Sequence, residues 1–266
     1  MNRMDTALRE LAGMDDLAAL SSGIHDLHPG VKLLAAIIYI ATVASFGKYD
    51  LSGLLPMVLW PVLQYQLSGI PVSLCFRRLR FVLPLVLAVG IWNPFLDRQP
   101  ILQLGTLMVT GGVLSMCTLM LKGVLCLLAS FLLMATTGID RLCAALRAMH
   151  MPEYAVTLLL LTYRYIAVML REVSVMTDAY SLRAPGEKGI RFRAWGSFLG
   201  QLLLRSMDRA QALYDSMLVR GYRGEFYYAG TRPVQGRDLL FLALSAAACM
   251  FFRFVPAAQI LGSLFI

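Results

Sequence analysis

The amino-acid sequence predicts an all-α polytopic membrane protein with about five transmembrane helices and further amphipathic helices in the cytoplasm. Of its 266 residues, 58% are hydrophobic and only 15% are charged, whereas soluble domains carry roughly 25% charged residues. Long apolar stretches recur along the chain. Basic residues bring the formal net charge to +8 and concentrate between Arg141 and Arg237. Loops rich in Lys and Arg favour the cytoplasmic side of membrane proteins.

The order of apolar and polar stretches predicts one membrane-embedded domain over residues 1–266. We expect a cytoplasmic segment at 1–30, membrane helices within 31–135, a cytoplasmic region of amphipathic helices at 136–237 and a C-terminal membrane helix within 238–266. A span needs about 20 mostly apolar residues. The predicted spans are 31–46, 51–67, 81–92, 113–135 and 238–254.

The remaining stretches fit this order. The basic loop Arg77-Arg78-Leu79-Arg80 is expected in the cytoplasm, and residues 97–112 have weak strand or loop character. Residues 155–170 are apolar but contain Arg164, so we expect the start of a long helix along the cytoplasmic side. Pro256 opens a short apolar tail.

Lys122 lies in the middle of the longest apolar run. A lysine at the centre of a membrane helix costs about 2.5–3.5 kcal/mol on insertion scales, so its side chain should face protein or water. Alternatively, the run consists of two shorter pieces that meet at Lys122-Gly123. The sequence leaves both arrangements open.

Two helices of the 136–237 region are predicted to end at an arginine. A glycine follows each arginine within three residues. On each helix, apolar residues spaced by three and four positions define one face. We call these faces the first seam, which leads to Arg183 and Gly186, and the second seam, which leads to Arg220 and Gly221. The first seam is Met169, Val173, Met176 and Tyr180, and the second is Leu203, Met207, Ala210, Tyr214 and Met217.

Each arginine has a local explanation and a functional one. An arginine near a helix C-terminus interacts favourably with the helix dipole, by typically 0.3–1 kcal/mol, and glycine is the usual residue just beyond. A guanidinium is also always charged and can bind a carboxylate through two parallel hydrogen bonds. A rigid helix with such an end suits docking to an acidic groove on a moving partner.

The sequence resembles the transmembrane T component of energy-coupling-factor transporters. This family closes two cytoplasmic coupling helices with short motifs of Ala-Arg-Gly type, which correspond here to Arg183-Ala184-Pro185-Gly186 and Val219-Arg220-Gly221. Both motifs depart from the simplest form, through Ala184-Pro185 and through Val219. Further similar pieces occur in order, at 25–34, 136–137, 152, 161–165 and 204–225, and the last piece resembles the cobalt and nickel branch.

The resemblance implies a coupling scaffold that does not hydrolyse ATP. Its expected partners are two cytoplasmic ABC ATPase subunits, a metal-binding membrane S component that selects the substrate, often a small accessory membrane subunit, and the lipid bilayer, but no nucleic acid. We expect no cofactor on this chain, because ATP and Mg²⁺ belong to the ATPases, and a location in the bacterial or archaeal inner membrane. The implied ATPase-coupling residues are Arg183, Ala184, Gly186, Val219, Arg220 and Gly221, with the two seams as helix faces.

The residue inventory agrees with a non-catalytic subunit. The chain contains no G-x-x-x-x-G-K-[ST] motif for ATP and no H-E-x-x-H motif. His25 and His28 resemble a ligand pair, but two histidines make a poor metal site, so we expect a structural or capping role. The five cysteines are scattered singly and are expected to be small buried hydrophobes.

Three alternatives stay open. The same scaffold could serve vitamin-binding partners, which only the branch-like residues 205–225 argue against. A stand-alone channel or secondary transporter would need polar residues converging within the membrane, and Lys122 is its one candidate in the sequence. An intramembrane enzyme would lack a histidine base inside a span.

Two arginines have expected partners. We expect Arg205 to form an ion pair with Asp208. For Arg164 we expect a contact with Glu172, with lipid phosphate or with the backbone.

Overall fold

The structure is a computed structural model that describes most of the chain and divides it into two compact units. The long-helix unit comprises Met1–Asp16 and Ile139–Thr231, and the lysine unit comprises Leu17–Gly138 and Arg232–Ile266. The residues described are 3–20, 22–70, 83–84, 86–93, 100–104, 107–186, 189–224 and 233–254.

Helices dominate the residues described, as the sequence predicts. The helices are α1 (Arg3–Ala18), α2 (Pro29–Ser45), α3 (Leu51–Leu54), α4 (Leu59–Ser68), α5 (Gly111–Thr137), α6 (Ile139–Ala148), α7 (Glu153–Arg183), α8 (Trp195–Val219) and α9 (Gly236–Phe254). Two 3-10 turns, Pro56–Val58 and Phe192–Ala194, precede α4 and α8. The strands β1 (Pro100–Leu104) and β2 (Leu107–Thr110) form an antiparallel pair.

Several boundaries differ from the sequence prediction. The predicted span 51–67 is interrupted between α3 and α4 because Pro56 cannot donate the helical hydrogen bond, and a 3-10 turn replaces it there. The strand pair in 97–112 departs from an all-helical chain, although weak strand character was one expectation for that stretch. Helix α5 runs without a break through Lys122, so the alternative of two shorter pieces is wrong.

Two helices of the described residues, α5 and α7, are long and apolar enough to cross a membrane by length and composition, while α2 is shorter. On α4 and α9, apolar side chains such as Leu67, Leu240 and Phe254 are 66–75% exposed, which is typical of helices that face lipid. These features indicate a membrane protein. The count of five spans and the placement of 155–170 along the cytoplasmic side stay predictions.

Some predicted stretches fall partly or wholly outside the described residues. Within the predicted span 81–92, residues 83–84 and 86–90 are helical. The basic loop at 77–80, the apolar tail from Pro256 onward and the final Glu225 of the 205–225 stretch lie outside the described residues.

The core of the lysine unit joins α2, α5 and α9. Tyr39 is fully buried, stacks on Trp60 with ring centroids 4.3 Å apart, and donates a hydrogen bond to the Met57 carbonyl over 2.9 Å. Packing this close makes the core sensitive to any change in volume. Its buried members are Tyr39, Val43, Phe46, Leu54, Met57, Leu125, Ala129 and Cys249.

The core of the long-helix unit is smaller and lies where α6 packs on α7. It contains Cys143, Val156 and Leu160. Between these helices His150 adopts a left-handed conformation with φ of 64°, and Pro152 forms the N-cap of α7. Cys143 is fully buried in this core, and burial raises the pKa of its thiol, with Asp140 raising it further. Cys249 is also buried, whereas Cys117 and Cys126 are half-buried.

Candidate functional site

Helix α7 ends at Arg183 because the chain cannot continue as a helix through the next residues. Ala184 leaves the helical region, with φ of −127° and ψ of 67°, as expected for a residue that precedes proline. Its N–H still donates to the Tyr180 carbonyl over 3.0 Å. Gly186 then adopts φ of 99°, a value that residues with a Cβ rarely reach. The predicted end of this helix is confirmed.

Helix α8 ends in a Schellman motif around Arg220 and Gly221. The N–H of Tyr222 donates to the Met217 carbonyl, and the N–H of Gly221 donates to the Leu218 carbonyl, both over 2.9 Å. Gly221 supplies the left-handed conformation that this motif requires, with φ of 86°. The last carbonyls of α8 therefore find backbone partners, and the helix ends as the sequence predicts.

The guanidinium groups of Arg183 and Arg220 are exposed at these two helix ends. Within the described part of the chain, neither group takes part in a hydrogen bond or an ion pair. The local explanation through the helix dipole accounts for a favourable charge at each end. The dipole alone does not explain why each guanidinium is exposed and has no side-chain partner among the described residues.

The two seams differ in burial. The first seam on α7 is half-buried along its length. The second seam on α8 is largely exposed, with Leu203 at 60% and Met207 and Tyr214 at 54%. None of the described residues of α8 is buried. Helix α8 thus presents an apolar face that its own unit leaves uncovered.

Both seams contribute to an open groove of about 390 Å³ between α7 and α8. Met169 of the first seam and Ala210, Tyr214 and Met217 of the second lie on its walls, and Tyr222 lines it beyond the end of α8. Methionine and tyrosine side chains suit a surface that must adapt to a mobile partner. The groove therefore joins the two faces that the sequence analysis found separately.

Glu172 holds α7 and α8 together. The Glu172 side chain is 18% exposed, and its carboxylate forms an ion pair with Arg205. It also forms a longer ion pair with Arg209, with a nitrogen-to-oxygen distance of 3.7 Å. The prediction that Arg205 pairs with Asp208 is therefore wrong, as is the pairing of Glu172 with Arg164. A carboxylate on the neighbouring helix offered Arg205 a less exposed partner than a residue on its own helix.

Arg164 binds another acid of the long-helix unit. Its guanidinium lies 3.1 Å from the Asp140 carboxylate at the start of α6, a partner that was not predicted from the sequence, and a contact with lipid phosphate stays a prediction. Next to it, Tyr163 donates a hydrogen bond of 2.8 Å to Asp15 of α1. These contacts fix α1 and α6 to α7.

In the lysine unit, Lys122 binds the C-terminal end of α2. Its ammonium donates to the carbonyls of Ala44, over 3.3 Å, and of Phe46. The last carbonyls of a helix lack helical partners and carry the negative end of the dipole. The expectation that Lys122 faces protein is confirmed, and the bound carbonyls explain why a mid-helix lysine is tolerated.

Lys32 plays the same part at the end of α5. It is only 5% exposed, and its ammonium donates to the Thr136 carbonyl over 2.8 Å and to the His25 carbonyl over 3.4 Å. From the sequence, Lys32 is expected only as part of the entry to a span, without this role. Its partner Thr136 is 104 residues away in the chain, so no local pattern could have revealed it.

Asp238 binds two helix N-termini with one fully buried carboxylate. One oxygen accepts from the N–H of Gln235, the residue before α9, over 2.9 Å, and the other accepts from the N–H of His28, the N-cap of α2, over 3.1 Å. An acid three residues after an N-cap is the local capping signal. The spacing of Gln235 and Asp238 is that signal, so this cap was visible in the sequence although it was not predicted.

The two histidines near α2 have structural roles, as predicted. The Nδ1 atom of His28 accepts from the N–H of Gly30 over 3.2 Å and so caps α2. His25 is 2% exposed and lies 2.7 Å from the Ser22 hydroxyl and 3.1 Å from the Leu17 carbonyl. Because a carbonyl can only accept, the Nε2 atom of His25 carries the proton.

Comparison with known proteins points in one direction. The family model described as cobalt transport protein matches residues 21–228 of this chain. Among the described residues, no three His, Cys, Asp or Glu side chains come together as metal ligands would.

Individual relatives carry related names. The chain is 30% identical to the cobalt transport protein CbiQ of Rhodobacter capsulatus over 44% of this chain and 49% of that protein. It is 29% identical to the nickel permease LarQ of Lactiplantibacillus plantarum over 45% and 43%. The energy-coupling factor transporter transmembrane protein EcfT of Listeria innocua is 25% identical over 77% of this chain and 82% of its own length.

Proposed function

The chain belongs to the cobalt transport protein family, and from that premise we propose that it is the coupling subunit of an ATP-driven importer of cobalt or nickel. The resemblance to the energy-coupling-factor T component of the cobalt and nickel branch is confirmed by the family match and by the names of the relatives. Coupling to ATPases and the identity of the transported ion are the parts that we propose.

One observation carries the proposal. In the long-helix unit, the acids Glu172 and Asp140 bind arginines within the unit, yet Arg183 and Arg220 project from two helix ends without a partner among the described residues. A charge-assisted contact between a guanidinium and a carboxylate is about twice as strong as a neutral hydrogen bond. Acidic grooves on two ATPase subunits would supply such contacts.

The helix ends suit the transmission of movement. The Schellman motif fixes the direction of the chain at Arg220, and Pro185 stops α7 directly after Arg183. Glu172 links the two helices upstream of both ends. A displacement of either arginine by an ATPase would therefore move a pair of joined helices and not one flexible loop. The substrate-binding membrane subunit would receive that movement.

The proposed coupling role implies an assembly of several subunits. Two cytoplasmic ATPase subunits bind ATP and Mg²⁺, and a separate membrane subunit binds the metal ion as substrate, while this chain lies in the inner membrane as a multi-pass protein. Relatives named as EcfT match a larger share of this chain than the cobalt- and nickel-named ones do. The second candidate is therefore the same coupling role for a different substrate, including vitamins.

Affinity purification of the chain in mild detergent, with identification of the co-purifying proteins, tests the assembly. We expect two ATPase subunits and a small membrane protein. Uptake of radioactive cobalt and nickel by cells that carry the recovered genes separates the two candidates. Recovery of ATPases together with vitamin uptake and no metal uptake would favour the second candidate, and recovery of no ATPase would reject both.

Substitution of the arginines tests the coupling residues. Arg183→Ala or Arg220→Ala should leave the protein inserted but weaken ATPase binding by about 30-fold, since removing one member of a docked charge pair costs at least about 2 kcal/mol. The double variant should abolish transport. Arg171→Ala, which removes an exposed arginine from the middle of α7, serves as the control. Normal uptake by the double variant would contradict the proposal.

A further inference from the structure

A surface patch before and within the first turns of α8 is not used by the proposed coupling role. We call it the aromatic patch and define it by Arg191, Phe192, Arg193, Trp195 and Leu199. Phe192 is 93% exposed, Leu199 is 52% exposed and Trp195 is 43% exposed. Exposed aromatic residues are costly in water, so a surface of this composition indicates a contact that the chain alone does not make.

The apolar members of the aromatic patch share one face. Phe192, Trp195 and Leu199 follow a spacing of three and four through the 3-10 turn and into α8, which places them on one side of the helical path. Phe198 packs edge-on against Trp195 with ring centroids 6.2 Å apart. This contact holds the indole ring in place while leaving much of it exposed.

The charges within this segment of the chain have one sign. Arg191 and Arg193 are exposed, and residues 191–201 contain no acid. Tryptophan concentrates at the level of lipid headgroups, and arginine can extend its head toward phosphate while its stem lies on apolar surface. The cytoplasmic leaflet carries anionic lipids that attract such residues by about 1 kcal/mol each.

We propose that the aromatic patch binds the bilayer surface, with Phe192, Trp195 and Leu199 at the level of the upper acyl chains and Arg193 on an anionic phospholipid headgroup. The absence of acids in residues 191–201 and the exposed tryptophan favour lipid over a protein partner. The contact would anchor the connection between α7 and α8 at the membrane surface. It does not depend on the arginine ends binding ATPases, so the two proposals can fail separately.

Quenching of tryptophan fluorescence by brominated lipids tests this contact. The full chain is reconstituted in liposomes that contain either brominated phosphatidylcholine or brominated phosphatidylglycerol. The signal of Trp195 is the difference between the unmodified chain and Trp195→Phe, which subtracts Trp60 and Trp92. We expect this signal to be quenched by both lipids, and more strongly by phosphatidylglycerol.

Substitutions separate the two halves of the aromatic patch. Arg193→Gln should lower the preference of the Trp195 signal for phosphatidylglycerol by about fivefold, whereas Arg171→Gln should leave it unchanged. Phe192→Ser should reduce quenching by both lipids. The proposal would be overturned if neither lipid quenches the Trp195 signal, or if both lipids quench it equally. Loss of lipid quenching when purified ATPases are added would assign the patch to a protein contact and overturn it as well.

Discussion

The lysine unit and the long-helix unit place charged side chains at helix ends in opposite ways. In the lysine unit, Lys122 reaches the end of α2 from α5, and Asp238 binds backbone N–H groups at the start of its own helix α9 and at the start of α2. In the long-helix unit, Arg183 and Arg220 stand at the ends of their own helices and are exposed. The same kind of position therefore holds a structural charge in one unit and an available charge in the other.

The backbone explains the difference. Helix α2 ends at Ser45, and Phe46 follows in an extended conformation, so the last carbonyls of α2 need a donor and Lys122 supplies it. Helix α8 ends in a Schellman motif that already satisfies its last carbonyls. Arg220 is not needed there for backbone hydrogen bonding. A charge at a helix end becomes a candidate for binding when the local backbone has no use for it.

The largest effect on stability is expected at Asp238. Asp238→Ala would leave the partly buried N–H groups of His28 and Gln235 without this acceptor, and each loss costs up to about 1–3 kcal/mol. We expect the free energy of unfolding to fall by about 2–5 kcal/mol, measured by thermal unfolding in detergent. Asp215→Ala removes an exposed acid of α8 and should change nothing. Equal unfolding temperatures for both variants would contradict the structural role of Asp238.

A smaller loss is expected at Lys122. Lys122→Met removes charge-assisted hydrogen bonds worth about 1.5–3 kcal/mol each, but it also removes the cost of holding a charge away from water. We expect a net loss of about 1 kcal/mol in the free energy of unfolding. The exposed Lys48, substituted as Lys48→Met, is the control. A Lys122→Met protein that is more stable than the unmodified chain would show that α2 does not need this donor.

The smallest effect is expected at Glu172. Its arginine partners are 45–46% exposed, so solvent screening limits the pair to about 0.5–1 kcal/mol. Glu172→Gln should broaden the distance distribution between spin labels at Val175 and Leu204, because α7 and α8 lose their link. Asp208→Asn should leave the distribution narrow. If only the Asp208→Asn variant broadened the distance distribution, the pair between Arg205 and Asp208 that the sequence predicts would be supported instead.

The sequence predicted what depends on neighbouring residues. The ends of α7 and α8 follow from Pro185 and Gly221 and were correct, as was the cap that His28 provides for α2. Each of these features is decided within about one helical turn. Local chemistry is visible in a sequence because the interacting groups are close together in the chain.

The errors came from contacts between distant residues. Arg164 binds Asp140 from 24 positions away, and Arg205 binds Glu172 from 33. Asp238 binds the N–H of His28 from 210 positions away. Spacing rules favoured Asp208 for Arg205 because they compare only residues on one helix. Which charge is bound and which is left exposed depends on packing, and packing brings together residues that no spacing rule connects.

The most direct test of this account measures two quantities on one protein. The Arg183→Ala/Arg220→Ala double variant and the unmodified chain are compared for unfolding temperature in detergent and for binding of the purified ATPase subunits. Because both guanidiniums are exposed and each dipole interaction is worth only about 0.3–1 kcal/mol, we expect the unfolding temperature to fall only slightly and the binding affinity to fall at least about 100-fold. A lower unfolding temperature with unchanged binding would show that these arginines stabilise their helices and do not couple them to a partner.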